Sequence, residues 1–198
     1  MKVKKRKQTG QPYYIADNLL KRNFEATTPL RKLVTDITYL PFGQKPLYLS
    51  SMQDLFNGEI IAYSIGDFQD IDSVLDTVSQ LGSLPEECTL HSDQGSVYTS
   101  YRYQQASKGK DISMSRKGTP ADNAPIGSLH SALKSETFYL DSLRSTMTAI
   151  VEQTVKDYIT YYFRIQTKLN NQSAGAIPTT GWIHAFMIPV LLTGVSLK

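Results

Sequence analysis

Asp36 sits in the middle of Leu33-Val34-Thr35-Asp36-Ile37-Thr38-Tyr39-Leu40, a run whose β-branched and aromatic residues otherwise suit a buried strand. A carboxylate in such a strand is costly unless it is paired, hydrogen-bonded or bound to a cation, so the fold has to bring it a partner. Phe42-Gly43-Gln44-Lys45-Pro46 is turn chemistry, and Leu47 to Met52 resumes as a strand. Asn57-Gly58 closes a second hairpin into Glu59 to Ile65.

After this meander the period changes. Ile71, Val74, Leu75, Val78 and Leu81 recur at helical spacing, with Asp70 placed to cap the helix. A short strand from Cys88 to Asp93, a helical stretch near 99–108 and a strand at Ile112 to Ser115 follow. Arg116 to Pro125 is loop composition with two prolines. Two helices are predicted beyond it, over 126–140 and 144–162. A hairpin meander entering an α/β alternation has the strand order of a ribonuclease-H-like fold: an α/β protein with a five-stranded mixed sheet flanked by helices.

The net charge of +3 is unevenly spread. Residues 1–32 hold nine Lys or Arg against Asp17 and Glu25, and the remainder of the chain is net acidic. A basic arm and linker over 1–31 is expected, suited to a phosphate backbone or simply solvated. Residues 8–30, including the amphipathic Ile15 to Phe24, read as a lead-in to the core over 32–172. No apolar stretch follows the basic start, so a secretory signal is not expected and the cytoplasm is. The single cysteine, Cys88, rules out an internal disulfide framework, and no zinc-type spacing surrounds His91 or His130.

Asp93, ending the strand His91-Ser92-Asp93, is a second strand carboxylate. Two carboxylates brought together on neighbouring strands repel unless a divalent cation neutralises them, which outlines a magnesium site. Either one alone reads equally well as a turn cap or an ion-pair partner.

Several blocks occur in one order: Thr35-Asp36-Ile37-Thr38-Tyr39, Leu90-His91-Ser92-Asp93-Gln94-Gly95, Ser113-Met114-Ser115-Arg116-Lys117-Gly118, Asp122-Asn123-Ala124 and Leu133-Lys134-Ser135-Glu136. Together they closely resemble the integrase core of the IS-three type of bacterial insertion-sequence transposases, from about Gln11 to about Ser173. The resemblance implies that Asp36 and Asp93 help to hold Mg2+ or Mn2+ for cleavage and strand transfer of DNA. It implies DNA ends and target DNA as partners, a homo-oligomer on DNA, and a nucleoid-associated protein with no membrane association. End recognition is expected in a preceding helix-turn-helix segment. Arg116, Lys117 and Lys134 flank the loop and helix of the implied site and read either as phosphate contacts or as surface charges. His91 and Tyr98 are assigned mainly to packing and local hydrogen bonding, with an approach of His91 to the metal as the alternative.

The sequence departs from this pattern in several places, including a segment between Asp93 and position 127 that is a couple of residues short and a final helix that has lost a few residues around Tyr161 to Gln166. The third ligand of the family is a Glu in an Ile-Glu-Ser stretch, and here Ile126-Gly127-Ser128 stands in its place. Glu136, nine residues on, is about 180° round the helix and is expected to face away, while Asp122 lies in the loop. Impaired catalysis is therefore expected, with a non-catalytic DNA- or transposase-binding remnant as the alternative. Beyond Ser173 the resemblance stops, and the divergent tail over 173–198 reads like translation in another frame. Its apolar stretch, broken by Pro189 and Gly194, is too short for a membrane helix.

Overall fold

The computed structural model describes residues 14–41, 46–139 and 148–171, with the side chains of 163–171 left undescribed. The basic run before Tyr14, the Phe42–Lys45 turn and the tail beyond residue 171 lie outside the described residues. The chain divides into two compact units, residues 1–167 and 168–198, and the fold below is that of the first.

Five strands form one mixed sheet in the order β3-β2-β1-β4-β5. β1 (Lys32–Leu40), β2 (Leu47–Asp54) and β3 (Ile60–Gly66) are the antiparallel meander. β4 (Thr89–Ser92) adds parallel to β1, and β5 (Asp111–Met114) parallel to β4. The helices are α1 (Ile71–Ser79), α2 (Tyr101–Ala106), α3 (Ala124–Leu133) and α4 (Thr148–Asn171). Asp70 caps α1 as expected, its side chain accepting from the Ser73 amide. A 3-10 turn, Pro120–Asn123, leads into α3, and a π-turn, Lys134–Phe138, follows it.

Both faces of the sheet are covered, which explains why β1 lacks clean polar alternation. Even-numbered residues of β1 face α3 and α4: Val34 and Leu40 share a core with Leu49, Ile126, Leu129, Leu133, Val151 and Val155. Odd-numbered residues face α1 and α2, where Ile37 packs with Val74, Tyr98 and Tyr103. Asp36 is even-numbered, so it projects to the α3 side.

The lead-in from Tyr14 runs along β5. The Met114 amide donates to the Asp17 carbonyl at 3.2 Å, and the Leu19 amide to Ser113 Oγ at 2.9 Å. Ala16 and Leu20 are buried, so this segment covers the sheet edge. Several of its charges are matched by the core: Arg31 pairs with Glu87, and Arg22 with Asp122.

Candidate active site

The parallel register pairs Val34 with His91, and carried two residues further it sets Asp36 beside Asp93. The charge of Asp36 reaches Asp93, whose pKa is raised by partial desolvation and by that charge, against the opposing bond from the Gly95 amide. Each carboxylate is also held locally. Asp36 Oδ1 accepts from the Ile37 amide at 2.8 Å, and Asp93 Oδ1 from the Gly95 amide at 2.8 Å.

No short-range signal marks Gly95 as a site residue. A Cβ there would lie 2.9 Å from Asp93 Oδ1, so only glycine lets the carboxylate occupy this position without displacement.

α3 lies along β1 with one face. Asn123, just before it, donates from Nδ2 to the Thr35 carbonyl at 3.3 Å. His130 Nδ1 stands 3.7 Å from Asp36 Oδ2 while its Nε2 meets Ser51 Oγ at 2.8 Å. Lys134 Nζ donates to Thr38 Oγ1 at 3.1 Å and lies 4.6 Å from the centre of the Tyr39 ring. Positions 123, 127, 130 and 134 form one helical stripe, so Gly127 belongs to the face that passes over Asp36. A Cβ at Gly127 meets no atom within 4 Å, which leaves room for a longer side chain.

The two other acids weighed in the sequence, Glu136 and Asp122, are engaged elsewhere. Glu136 acts on Tyr158 and Tyr161 of α4. Asp122 is fully enclosed, and its two carboxylate oxygens accept from Asn18 Nδ2, Arg22 Nε and the Nε, NH2 and backbone amide of Arg116, at 2.8–3.2 Å. The Arg116 hydrogen bonds, with those from Arg22, hold its pKa well below the usual carboxylate range. Arg116 is thus bound to a protein carboxylate, Lys134 is engaged on β1, and Lys117 is exposed. Among the described residues no group of three or more His, Cys, Asp or Glu is arranged to hold a metal ion.

His91 takes the packing and hydrogen-bonding role expected of it, and the alternative that it approaches the metal is corrected. Its ring is fully buried, with Nδ1 2.7 Å from Ser113 Oγ and Nε2 2.9 Å from the Asp122 carbonyl and 3.1 Å from Ser115 Oγ. A carbonyl only accepts, so Nε2 carries the proton and Nδ1 accepts from Ser113. Burial lowers the His91 pKa against the opposing pull of Asp122, which keeps the ring neutral as a strut between the sheet and the 116–123 loop. Tyr98 is buried against Tyr103 and meets Thr35 Oγ1 at 3.4 Å, in the packing role expected.

Residues 26–120 match the integrase core domain family. InsK of Escherichia coli K12, assigned as the transposase of insertion sequence element IS150, is 40% identical across 85% of this chain and 62% of its own length. An uncharacterized transposase-like protein of Haemophilus influenzae is 39% identical across 86% of this chain and 81% of its own. The chain thus spans about 62% of the length of InsK. Among solved structures, a chain of the simian T-cell lymphotropic virus intasome, in complex with PP2A regulatory subunit B56 gamma, superposes with a TM-score of 0.56 at 15% identity, covering 87% of this chain and 66% of that one. The HTLV-2 integrase catalytic core in complex with magnesium superposes with a TM-score of 0.50 at 15% identity, covering 68% and 86%. Likeness at that identity establishes the ribonuclease-H-like fold alone. The transposase-like relative, matched along most of its length, and the integrase core match within this fold together show that the chain belongs to the integrase-core transposases of bacterial insertion sequences.

Proposed function

We propose that this chain is the catalytic core of a transposase for metal-dependent DNA cleavage and strand transfer, and that Gly127 impairs its chemistry. The observation that carries this reading is the parallel register of β1 and β4, which carried two residues past Val34 and His91 sets Asp36 beside Asp93, with His130 of α3 3.7 Å from Asp36 Oδ2.

Two neighbouring carboxylates, one of them raising the pKa of the other, suit a divalent cation, and Asp36 and Asp93 would hold Mg2+ or Mn2+. The chemistry a bound ion would supply is activation of a water or 3′-hydroxyl and stabilisation of the leaving oxygen of a phosphodiester. The residues of the chain contribute position and charge. Gly95 gives the Asp93 carboxylate its place, and the Ile37 amide fixes that of Asp36. Position 127 contributes no ligand, so the negative charge available to a second ion is reduced by about one unit.

The proposed organisation is a basic arm over 1–31, the catalytic core over 32–172 and a divergent tail over 173–198. DNA ends and target DNA are the proposed partners, with Arg116, Lys117 and Lys134 near the backbone and a homo-oligomer as the assembly on DNA. A cytoplasmic, nucleoid-associated location follows from that substrate. No helix among the described residues is long and apolar enough to cross a membrane.

The open position at Gly127 also favours a second reading, a non-catalytic remnant that binds DNA or an intact transposase. Strand cleavage of labelled duplex taken from the DNA flanking the coding sequence separates the two. Gly127→Glu is expected to nick it in Mg2+ on the order of 100-fold faster than the natural chain, with Asp36→Asn abolishing the gain. If Gly127→Glu binds DNA but never nicks it, the remnant reading stands instead.

A further inference from the structure

The buried carboxylate of Asp122 joins two basic dipeptides that are far apart in sequence. Lys21-Arg22 lies in the lead-in and Arg116-Lys117 follows β5, and all four residues are exposed. Their charges sum to +4 against −1 for Asp122. Arg22 commits only its Nε to Asp122, at 2.8 Å, with its side chain 50% exposed. Arg116 commits Nε and NH2, with its side chain 64% exposed. Donors on both guanidinium groups therefore remain for another acceptor, and neither lysine is paired with a carboxylate among the described residues.

The backbone is built to hold this arrangement. Lys21 and Arg22 adopt left-handed φ values of 48° and 65°, rare for residues with a Cβ. The turn is closed by the Lys21 amide donating to Asn18 Oδ1 at 2.8 Å, while Asn18 Nδ2 donates to Asp122 Oδ2 at 3.0 Å. Strain of this kind persists only where surrounding contacts over-determine it. A surface ion pair does not need two strained residues. A guanidinium fixed in advance toward an incoming anion gains from them, because less of its freedom is lost on binding.

The location identifies the anion. Asp122 adjoins Asn123, whose Nδ2 donates to the Thr35 carbonyl one residue before Asp36, and its own carbonyl meets His91 Nε2 two residues before Asp93, so the clamp is tied to the segments that carry both carboxylates. We propose that Lys21-Arg22 and Arg116-Lys117 form a single phosphate-binding surface for the DNA backbone flanking the two-Asp site, with Asp122 presetting both guanidinium groups. This rests on the reading of the chain as a DNA-processing core, and it gives the lead-in segment a direct part in substrate binding.

The test is the salt dependence of binding by the full chain to a labelled mixed-sequence duplex, followed by fluorescence anisotropy. Lys21→Ala with Lys117→Ala removes two charges and none of the hydrogen bonds to Asp122. It is expected to lower the slope of log K against log salt by about 2, with the thermal midpoint unchanged, while Lys21→Arg with Lys117→Arg keeps the slope. Lys156→Ala on α4 is expected to leave it unchanged. A double variant with the slope of the natural chain, or an equal drop per charge in Lys156→Ala, overturns the proposed surface and leaves the core reading intact. Loss of self-association with an unchanged slope also overturns it, making a second copy the occupant. Failure of the natural chain to bind DNA at all overturns both the surface and the core reading.

Discussion

His130 joins the two register partners Asp36 and Ser51 across the β1–β2 ladder: Nδ1 stands 3.7 Å from Asp36 Oδ2 and Nε2 2.8 Å from Ser51 Oγ. The contact holds α3 over Asp36, and Gly127 lies one turn earlier on the same face.

Gly127 has helical neighbours on both sides and open space at its Cβ. Gly127→Ala is therefore expected to raise the unfolding free energy by about 0.5–1 kcal/mol, the helix-interior cost of glycine, without changing metal affinity. Urea denaturation with and without Mg2+ measures both. A destabilised Ala variant would mean that the position is crowded.

At Gly95 the expectation is reversed. A methyl group 2.9 Å from Asp93 Oδ1 has to push the carboxylate aside, so Gly95→Ala is expected to weaken Mn2+ binding roughly 10–100-fold, the range seen when support for a metal ligand is lost. Calorimetric titration reads this, with circular dichroism confirming an unchanged fold. Unaltered affinity would separate Gly95 from the site.

The pKa of Asp122 is held below that of an unfolded aspartate, about 3.9, chiefly by its hydrogen bonds from Arg116. A lowered folded-state pKa contributes stability above pH ~4, and that stability is lost as the pH falls toward the folded value. Asp122→Asn is thus expected to melt below the natural chain at pH 7, with the gap closing on acidification below pH ~4. A gap independent of pH would show that the clamp acts through shape rather than charge.

Cys88 is fully buried, and burial pushes its thiol up to about 11 against the opposing charge of Lys110. At pH 8 it is expected to resist iodoacetamide in the folded chain and to react once urea unfolds it. Labelling followed by mass spectrometry decides this, and rapid native labelling would contradict the packing of β4 against the core.

The meander, the helix capped by Asp70 and the two strand carboxylates were legible in the sequence because each is a local signal: alternation, a capping side chain, an acid in an apolar run. The parallel pairing of β1 with β4 came from motif order, since no short-range feature encodes it. Other contacts could not be read at all. Arg22 and Asp122 are a hundred residues apart in the chain, and the amphipathic Ile15 to Phe24 gives no sign that its backbone would cover β5 rather than coil. His91 is two residues from Asp93, and from sequence alone an approach of its ring to the metal stays open beside the packing role. Those two residues share a face, but the His91 ring is taken up by Ser113, Ser115 and the Asp122 carbonyl. His130 left one usable trace, its place three residues after Gly127 on a helix with Asn123 and Lys134 in the same stripe.

The number of ions held by Asp36 and Asp93 bears most directly on the proposal that Gly127 leaves the metal site short of a ligand. Manganese titration followed by electron paramagnetic resonance, on the natural chain and on Gly127→Glu, counts them. The natural chain is expected to take up one ion weakly and Gly127→Glu two, with the signal of a coupled pair. Two tightly bound ions in the natural chain, at the affinity of Gly127→Glu, would contradict it.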